Sequence, residues 1–249
     1  MPNIYLSPST QEWNPYIGGG NEEYYMNLIA DAMEPYLRSS GIRFTRNTPT
    51  MTAASSIAQS NQGNYDLHLA LHSNASPEGE AGLRQGSDVY YYPTSWNGQR
   101  AANIIAENLK DIYPYEWLVR TLPTTSLGEV SRTRAVAVLI EFAYHDNEED
   151  ANWIRQNISE IAANVVLSLT EYFGIPFIAP QPVRRGVVRV SSGWLNIRKR
   201  PNLGARVVAR AWNGNPVTVY GEWQGWYVVD YYGTIGYADA RYIRLLERT

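Results

Sequence analysis

The sequence predicts an α/β fold, a mixed and largely parallel sheet flanked by helices, followed by a small all-β barrel. Three observations carry this. Short apolar runs alternate with helical-period segments up to about residue 173. The proline-rich stretch GIPFIAPQPVRRG then breaks the pattern. From about Gly186 the chain reads as brief runs rich in Val, Tyr and Trp, punctuated by NGN, GEWQG and YYGTIG. The expected division is 1–175, a linker at 176–185, and 186–249.

Element by element, NIYL reads as a strand, and EEYYMNLIADAMEPYLRSSG as a helix stopped by Gly41. IRFTR is a second strand and TMTAASSIAQSNQ a second, weaker helix. YDLHLALH follows, then the strand SDVYYY and the helix SWNGQRAANIIAENLKDIY. AVAVLIEFAY is a buried-strand run, and helices around NEEDANWIRQN and ISEIAANVVLSLTEYFG close the unit.

Composition narrows the chemistry. The net charge of −3, without long runs of like charge, gives no footprint for nucleic acid or an anionic membrane. Cysteine is absent, so disulfides and thiolate metal sites are excluded, and a metal must be held by His, Asp, Glu or a neutral oxygen. No apolar stretch reaches the roughly 20 residues that span a bilayer. The segment MPNIYLSPSTQEW lacks the basic and apolar regions of a secretory signal. The 19 Tyr and 8 Trp, against 4 Phe, suit wet binding surfaces.

His68 and His72 fall in YDLHLALHSNAS, where Leu67, Leu69 and Leu71 alternate with His68, Ala70 and His72. Strict period two marks a strand. Residues four apart in a strand share a face but lie roughly 13 Å apart, too far for one ion with bonds of about 2 Å. The helical metalloprotease pattern fails as well, because Leu69 stands where it needs glutamate. His72 ends the strand before a loop signal, where parallel sheets build their sites, and is the candidate ligand. His68 is expected to be a core or supporting residue.

DLHLALHSNAS, the earlier GNEEYYMNLIADAMEPYL and the later AVLIEFAYHDNEED together resemble the zinc-dependent N-acetylmuramoyl-L-alanine amidases of the Amidase_3 type, over about residues 3–174. The resemblance implies hydrolysis of the amide between N-acetylmuramic acid and L-alanine of peptidoglycan, with Zn2+ as cofactor. It puts one ligand at Glu22, with Glu23 as the alternative, a second at His72, and the glutamate acting on the zinc-bound water at Glu141. A carboxylate closing five apolar residues, as Glu141 does, incurs desolvation without an evident partner. The loops SNASPEGEAGLRQG and TQEWNPYIGGGN are the expected contacts for glycan and peptide.

The resemblance has a gap. The family places a first histidine ligand after the first strand, in a motif like GHGG, whereas this chain reads YLSPSTQEWN, with Ser9 nearest that place. A catalytic zinc normally has three protein ligands and an open position. The candidates for the third are an oxygen of the Ser9–Gln11 turn and His145. The gap also motivates a rival reading, a non-catalytic wall-binding protein that keeps the amidase fold.

In the C-terminal part, WLNIRKRPN, GNPVTV, GWYVV and GTIGYADARYI resemble the bacterial SH3 (SH3b, SH3_3) family, which implies an SH3-like barrel that binds cell-wall peptide. Trp194, Trp223, Trp226, Tyr231 and Tyr237 are candidates for a stacking surface, shared with the barrel core, and Arg198–Arg200 reads as a solvated turn. The combined expectation is a peptidoglycan hydrolase whose tethered module raises the local substrate concentration. It would act on the wall after release by lysis, in a phage endolysin or a sporulation or germination setting.

Overall fold

The computed structural model describes residues 1–246. Contacts divide it into two units. One contains residues 3–34 and 44–173, and the other residues 1–2, 35–43 and the chain from Gly174 onward.

In the first unit, β1 (Asn3–Pro8), β2 (Arg43–Arg46), β3 (Leu67–Asn74), β4 (Ser87–Tyr91), β5 (Val119–Pro123) and β6 (Ala137–Tyr144) form one sheet in the order β2-β1-β3-β6-β4-β5. β1/β3, β3/β6 and β4/β5 pair in parallel, while β4 runs antiparallel to β6. The sheet is thus mixed and largely parallel. The helices are α1 (Glu22–Ser39), whose residues from Pro35 on belong to the other unit, α2 (Ala53–Gln62), α3 (Trp96–Lys110), the short α4 (Gly128–Ser131), α5 (Glu148–Gln156) and α6 (Ile158–Phe173). Their starts follow local chemistry: Thr52 and Ser55 form a capping box on α2, and Ser95 and Asn147 cap α3 and α5.

Period two sorts the sheet into two faces. Ile4, Leu6, Leu67, Leu69, Leu71, Val138 and Ile140 point to one face and are wholly buried. The other face is mixed, with Ala70 and Leu139 packed against Val130 and polar side chains around them. His72 stands opposite Glu141 in the β3–β6 ladder, and Glu141 opposite Asp88 in β4. Ser9 extends the row, because its backbone N–H donates to the carbonyl of Leu71 (2.9 Å). α2 and α4 supply side chains to this face, with Ser60 reaching His68 and Glu129 reaching Ser7.

In the second unit, β7 (Arg184–Val188), β8 (Trp194–Arg198), β9 (Val207–Trp212), β10 (Pro216–Trp223), β11 (Trp226–Tyr231), β12 (Thr234–Asp239) and β13 (Ile243–Leu245) form an antiparallel sheet in the order β13-β7-β10-β11-β12-β8-β9. The strands and their pairing suit the SH3-like expectation, but the order has two ends, and no ladder joins β13 to β9 among the described residues. Val188, Ile197, Val219, Val229 and Ala238 fill its core. Within the proline-rich stretch, Ile178 is buried against Val228 and Tyr237.

Candidate active site

The site is built from a glycine turn, the start of α1, the end of β3, and α4. Gly18, Gly19 and Gly20 all have left-handed φ (82°, 108° and 79°), a conformation open to glycine at little cost. At Gly20 a Cβ would lie 2.6 Å from the Tyr25 ring. The turn folds the chain back so that Glu22 N–H donates to the carbonyl of Asn14 (3.0 Å). Asn14 Nδ2 then donates to Glu22 Oε2 (2.6 Å), leaving Oε1 turned inward.

Glu22 opens α1, where the helix terminus favours a carboxylate, and is 1% exposed. Its Oε1 meets His72 Nδ1 at 2.8 Å. Although burial alone would raise it, hydrogen bonding and charge from His72 hold the Glu22 carboxyl below its ordinary range. Glu23 is half-buried, and its backbone carbonyl accepts from Asn27 Nδ2.

The other nitrogen of His72 faces a residue that sequence reasoning missed. Glu129 Oε2 lies 2.9 Å from His72 Nε2, and Glu129 Oε1 lies 3.2 Å from His68 Nε2. Ser7 Oγ donates to Oε1 as well, and His68 Nδ1 is engaged by Ser60 Oγ (2.9 Å). The two histidines, separate by the strand-spacing argument, are therefore joined through one carboxylate. Their backbones keep the strand distance, but both rings lean toward the space that Glu129 fills. Against the effect of burial, hydrogen bonds from His68 and His72 hold Glu129 well below the usual carboxylate range. His72 moves the opposite way: burial would lower it, but Glu129 and Glu22 raise it well above an ordinary imidazole.

Glu141 sits beside His72, and its Oε2 is buried with no hydrogen-bond partner. Burial first, then the charges of Glu22, Asp88 and Glu129, push its carboxyl up to about 8, against the lowering effect of His72. Asp88 is itself clamped by Arg120 at 2.7 and 2.9 Å.

The two candidates for a third donor part company here. Ser9 Oγ accepts from Gln11 N–H, and the Gln11 amide nitrogen lies 3.4 Å from His72 Nδ1, so this turn stands on the Glu22 side of the imidazole. His145 is held elsewhere, its Nδ1 within 3.0–3.1 Å of the Ser73 carbonyl and hydroxyl and its ring stacked on Tyr16.

No group of three or more His, Cys, Asp or Glu stands ready around a metal position among the described residues. The donor chemistry nevertheless fits zinc. Glu22 and His72 offer a carboxylate oxygen and an imidazole nitrogen at one point, and the Ser9 side chain, a hydrogen-bond partner of Glu22, adds a neutral oxygen. A carboxylate behind the imidazole is the arrangement that supports histidine ligands. The orphaned Glu141 oxygen and the crowding of carboxylates leave negative charge for a cation to balance.

In the second unit, Trp194 and Trp212 are exposed (42% and 56%) and meet edge-on at 5.3 Å, with Arg210 over Trp194. Tyr237 is wholly buried, its hydroxyl donating to the Ser40 carbonyl of the same unit. Trp223 and Trp226 pack against that cluster, and Tyr231 against the sheet core. Of the aromatic candidates, Trp194 alone is largely solvent-facing, and Trp212 is its unforeseen partner.

Comparison with known proteins places these observations. Residues 10–171 match the family Amidase_3, N-acetylmuramoyl-L-alanine amidase, and residues 193–244 match the bacterial SH3 domain SH3_3. A search of curated proteins finds no match. Among solved structures, N-acetylmuramoyl-L-alanine amidase AmiC2 of Nostoc punctiforme is similar over 70% of this chain and 97% of its own (TM-score 0.60, 15% identity). The catalytic domain of an endolysin targeting Clostridia Difficile is similar over 69% and 98% (TM-score 0.56, 22% identity). The catalytic domain of CwlV, an amidase from Bacillus (Paenibacillus) polymyxa var. colistinus, is similar over 71% and 100% (TM-score 0.61, 14% identity). At these identities the likeness is one of fold.

Proposed function

Because the chain belongs to the Amidase_3 family of N-acetylmuramoyl-L-alanine amidases, we propose that it hydrolyses the muramoyl–L-alanine amide of peptidoglycan with a zinc ion held by Glu22 and His72. The observation that carries this reading is the meeting of Glu22 Oε1 with His72 Nδ1 at 2.8 Å beside half-buried Glu141, whose Oε2 is shielded from solvent and has no hydrogen-bond partner. The remaining donor is an oxygen of the Ser9–Gln11 turn, a choice supported by the hydrogen bond between the Ser9 side chain and Glu22.

Bound there, zinc lowers the pKa of water toward about 7 and polarises the amide carbonyl. The protein's own groups do the rest. Asn14 fixes Glu22 by its outer oxygen, so the inner oxygen stays aimed at the site. Glu141 Oε2 accepts the proton of the attacking water and returns it to the departing amine nitrogen, a role worth on the order of 10²–10⁴ in rate. Its place opposite His72 in the strand ladder, with Oε2 free of any hydrogen-bond partner, leaves that oxygen available for the role. The SH3-like unit binds wall, which raises the local concentration of substrate. Among the described residues no helix is long and apolar enough to cross a membrane.

The test combines zinc stoichiometry with muropeptide analysis of digested walls, for wild type and His72→Ala. One zinc per chain, lost in the variant, with glycan freed of peptide at the muramoyl group, is the expected result. Serine in place of the family's first histidine favours one rival, a wall-binding protein without catalysis. Wild-type protein that takes up no zinc and releases no peptide would establish that rival.

A further inference from the structure

We propose that Glu129 is a positioning residue: it fixes the tautomer and tilt of His72, so that Nδ1 and not Nε2 is the metal-binding nitrogen. The inference rests on the zinc reading above and adds a residue on which that reading is silent.

Three features lead to it. The first is valence. A carboxylate only accepts from an imidazole N–H, and His72 has one on each side, Glu22 Oε1 at 2.8 Å from Nδ1 and Glu129 Oε2 at 2.9 Å from Nε2. A metal that Glu22 also holds can replace the proton on Nδ1 alone, because Nε2 is turned toward Glu129 and away from Glu22. The second is rigidity. Glu129 is 5% exposed, and both its oxygens are committed, one to His72 and the other to Ser7 and His68. A carboxylate held at both oxygens cannot swing away, and so it fixes the imidazole plane.

The third is the chain of support behind it. Ser60 Oγ engages His68 Nδ1, which leaves His68 Nε2 to serve Glu129. His68 therefore acts on the site through Glu129 from a fully buried position, without approaching a metal. The sequence Ser60–His68–Glu129–His72 runs from α2 to β3, across to α4 and back to the end of β3, and ties the His72 ring to buried groups on its own face of the sheet.

The test uses the full chain. Zinc affinity is measured by competition with a chromophoric chelator for wild type and Glu129→Gln, with the melting of the zinc-free proteins recorded alongside. Loss of a carboxylate behind a histidine ligand typically weakens metal binding roughly 10- to 100-fold. That loss is expected here, with melting of the zinc-free variant changed little, since glutamine keeps the shape. A purely structural Glu129 would lower the melting temperature and leave the affinity alone, which would overturn the proposal. Should the variant fail to fold, cadmium-113 NMR on the wild type decides. Coupling of cadmium to Nδ1 of His72, with a protonated Nε2, is expected, and coupling to Nε2 would refute it. Wild type that binds neither metal removes the zinc reading and this role with it, whereas wild-type affinity retained in Glu129→Gln removes this role alone.

Discussion

Glu141 lies directly opposite His72 in the β3–β6 ladder, so an acid–base group and an imidazole stand side by side on the same sheet face. Adjacent parallel strands hold such a pair at a spacing set by backbone hydrogen bonds alone, independent of any loop.

Replacing Glu141 by glutamine keeps the shape and removes the titrating group. Wall hydrolysis, followed by dye release, should fall about 10²- to 10⁴-fold. Zinc stoichiometry should stay at the wild-type value, because Glu22 and His72 are untouched.

Glu22 and Glu23 are neighbours with different expectations. Glu22→Ala removes a buried carboxylate that meets His72, and zinc binding should be lost. Glu23→Ala changes a half-buried side chain one residue on, and the zinc titration should match wild type within about threefold, a difference of less than one kcal/mol.

Stability of the zinc-free protein should depend on pH in a defined direction. The Glu141 carboxyl is pushed from 4.5 to about 8, so the folded state holds a proton that the unfolded state releases. Its contribution is fully present below about 4.5 and is lost as pH rises through about 8. His72, raised well above 6.5, adds a loss of the same sign on the alkaline side. Denaturant melts of the zinc-free protein at pH 5.5 and 8.5 should differ by the order of a few kcal/mol, with the acidic sample more stable. Glu141→Gln should flatten that slope. Equal stability at the two pH values would contradict the buried, unpartnered carboxyl.

In the SH3-like unit, Trp194→Ala and Trp212→Ala should weaken cosedimentation with purified walls while leaving stability within about 0.5 kcal/mol, as exposed positions do. Tyr237→Ala should do the reverse in kind. Emptying a wholly buried ring site and stripping the Ser40 carbonyl of its donor should cost about 3–5 kcal/mol, read by denaturant melts.

The alternation around His68 and His72 was enough to assign a strand and one shared face, because side-chain direction in a strand depends on parity alone. Gly41 marked the end of α1 for an equally local reason, a left-handed φ of 78°. Glu129 had no such signal. It lies on a helix of four residues inside TLPTTSLGEVSRTR, too short to display a period, and nothing near it in sequence is near it in the site. The clue available was a lone glutamate between Leu127 and Val130, both of which pack against Ala70 and Leu139. The joining of His68 to His72 was illegible for the same reason: strand spacing measures the distance between backbones, while the bridge comes from a residue 57 positions away from His72.

The reversed direction of β4 leaves the site with an adaptable border. β3 ends, and β4 begins, at the same end of the sheet, so the connection 75–86 departs from and returns to one rim. Asp146 pins it there by accepting from Ser76 and Gly82 N–H, while Asn147 Nδ2 donates to the Gly82 carbonyl. A segment anchored this way can lengthen, shorten or change its side chains without shifting strand register, since extra residues in a closed loop cost only a slowly growing entropy. Drift in this rim therefore leaves the row of Ser9, His72, Glu141 and Asp88 on the strands in place.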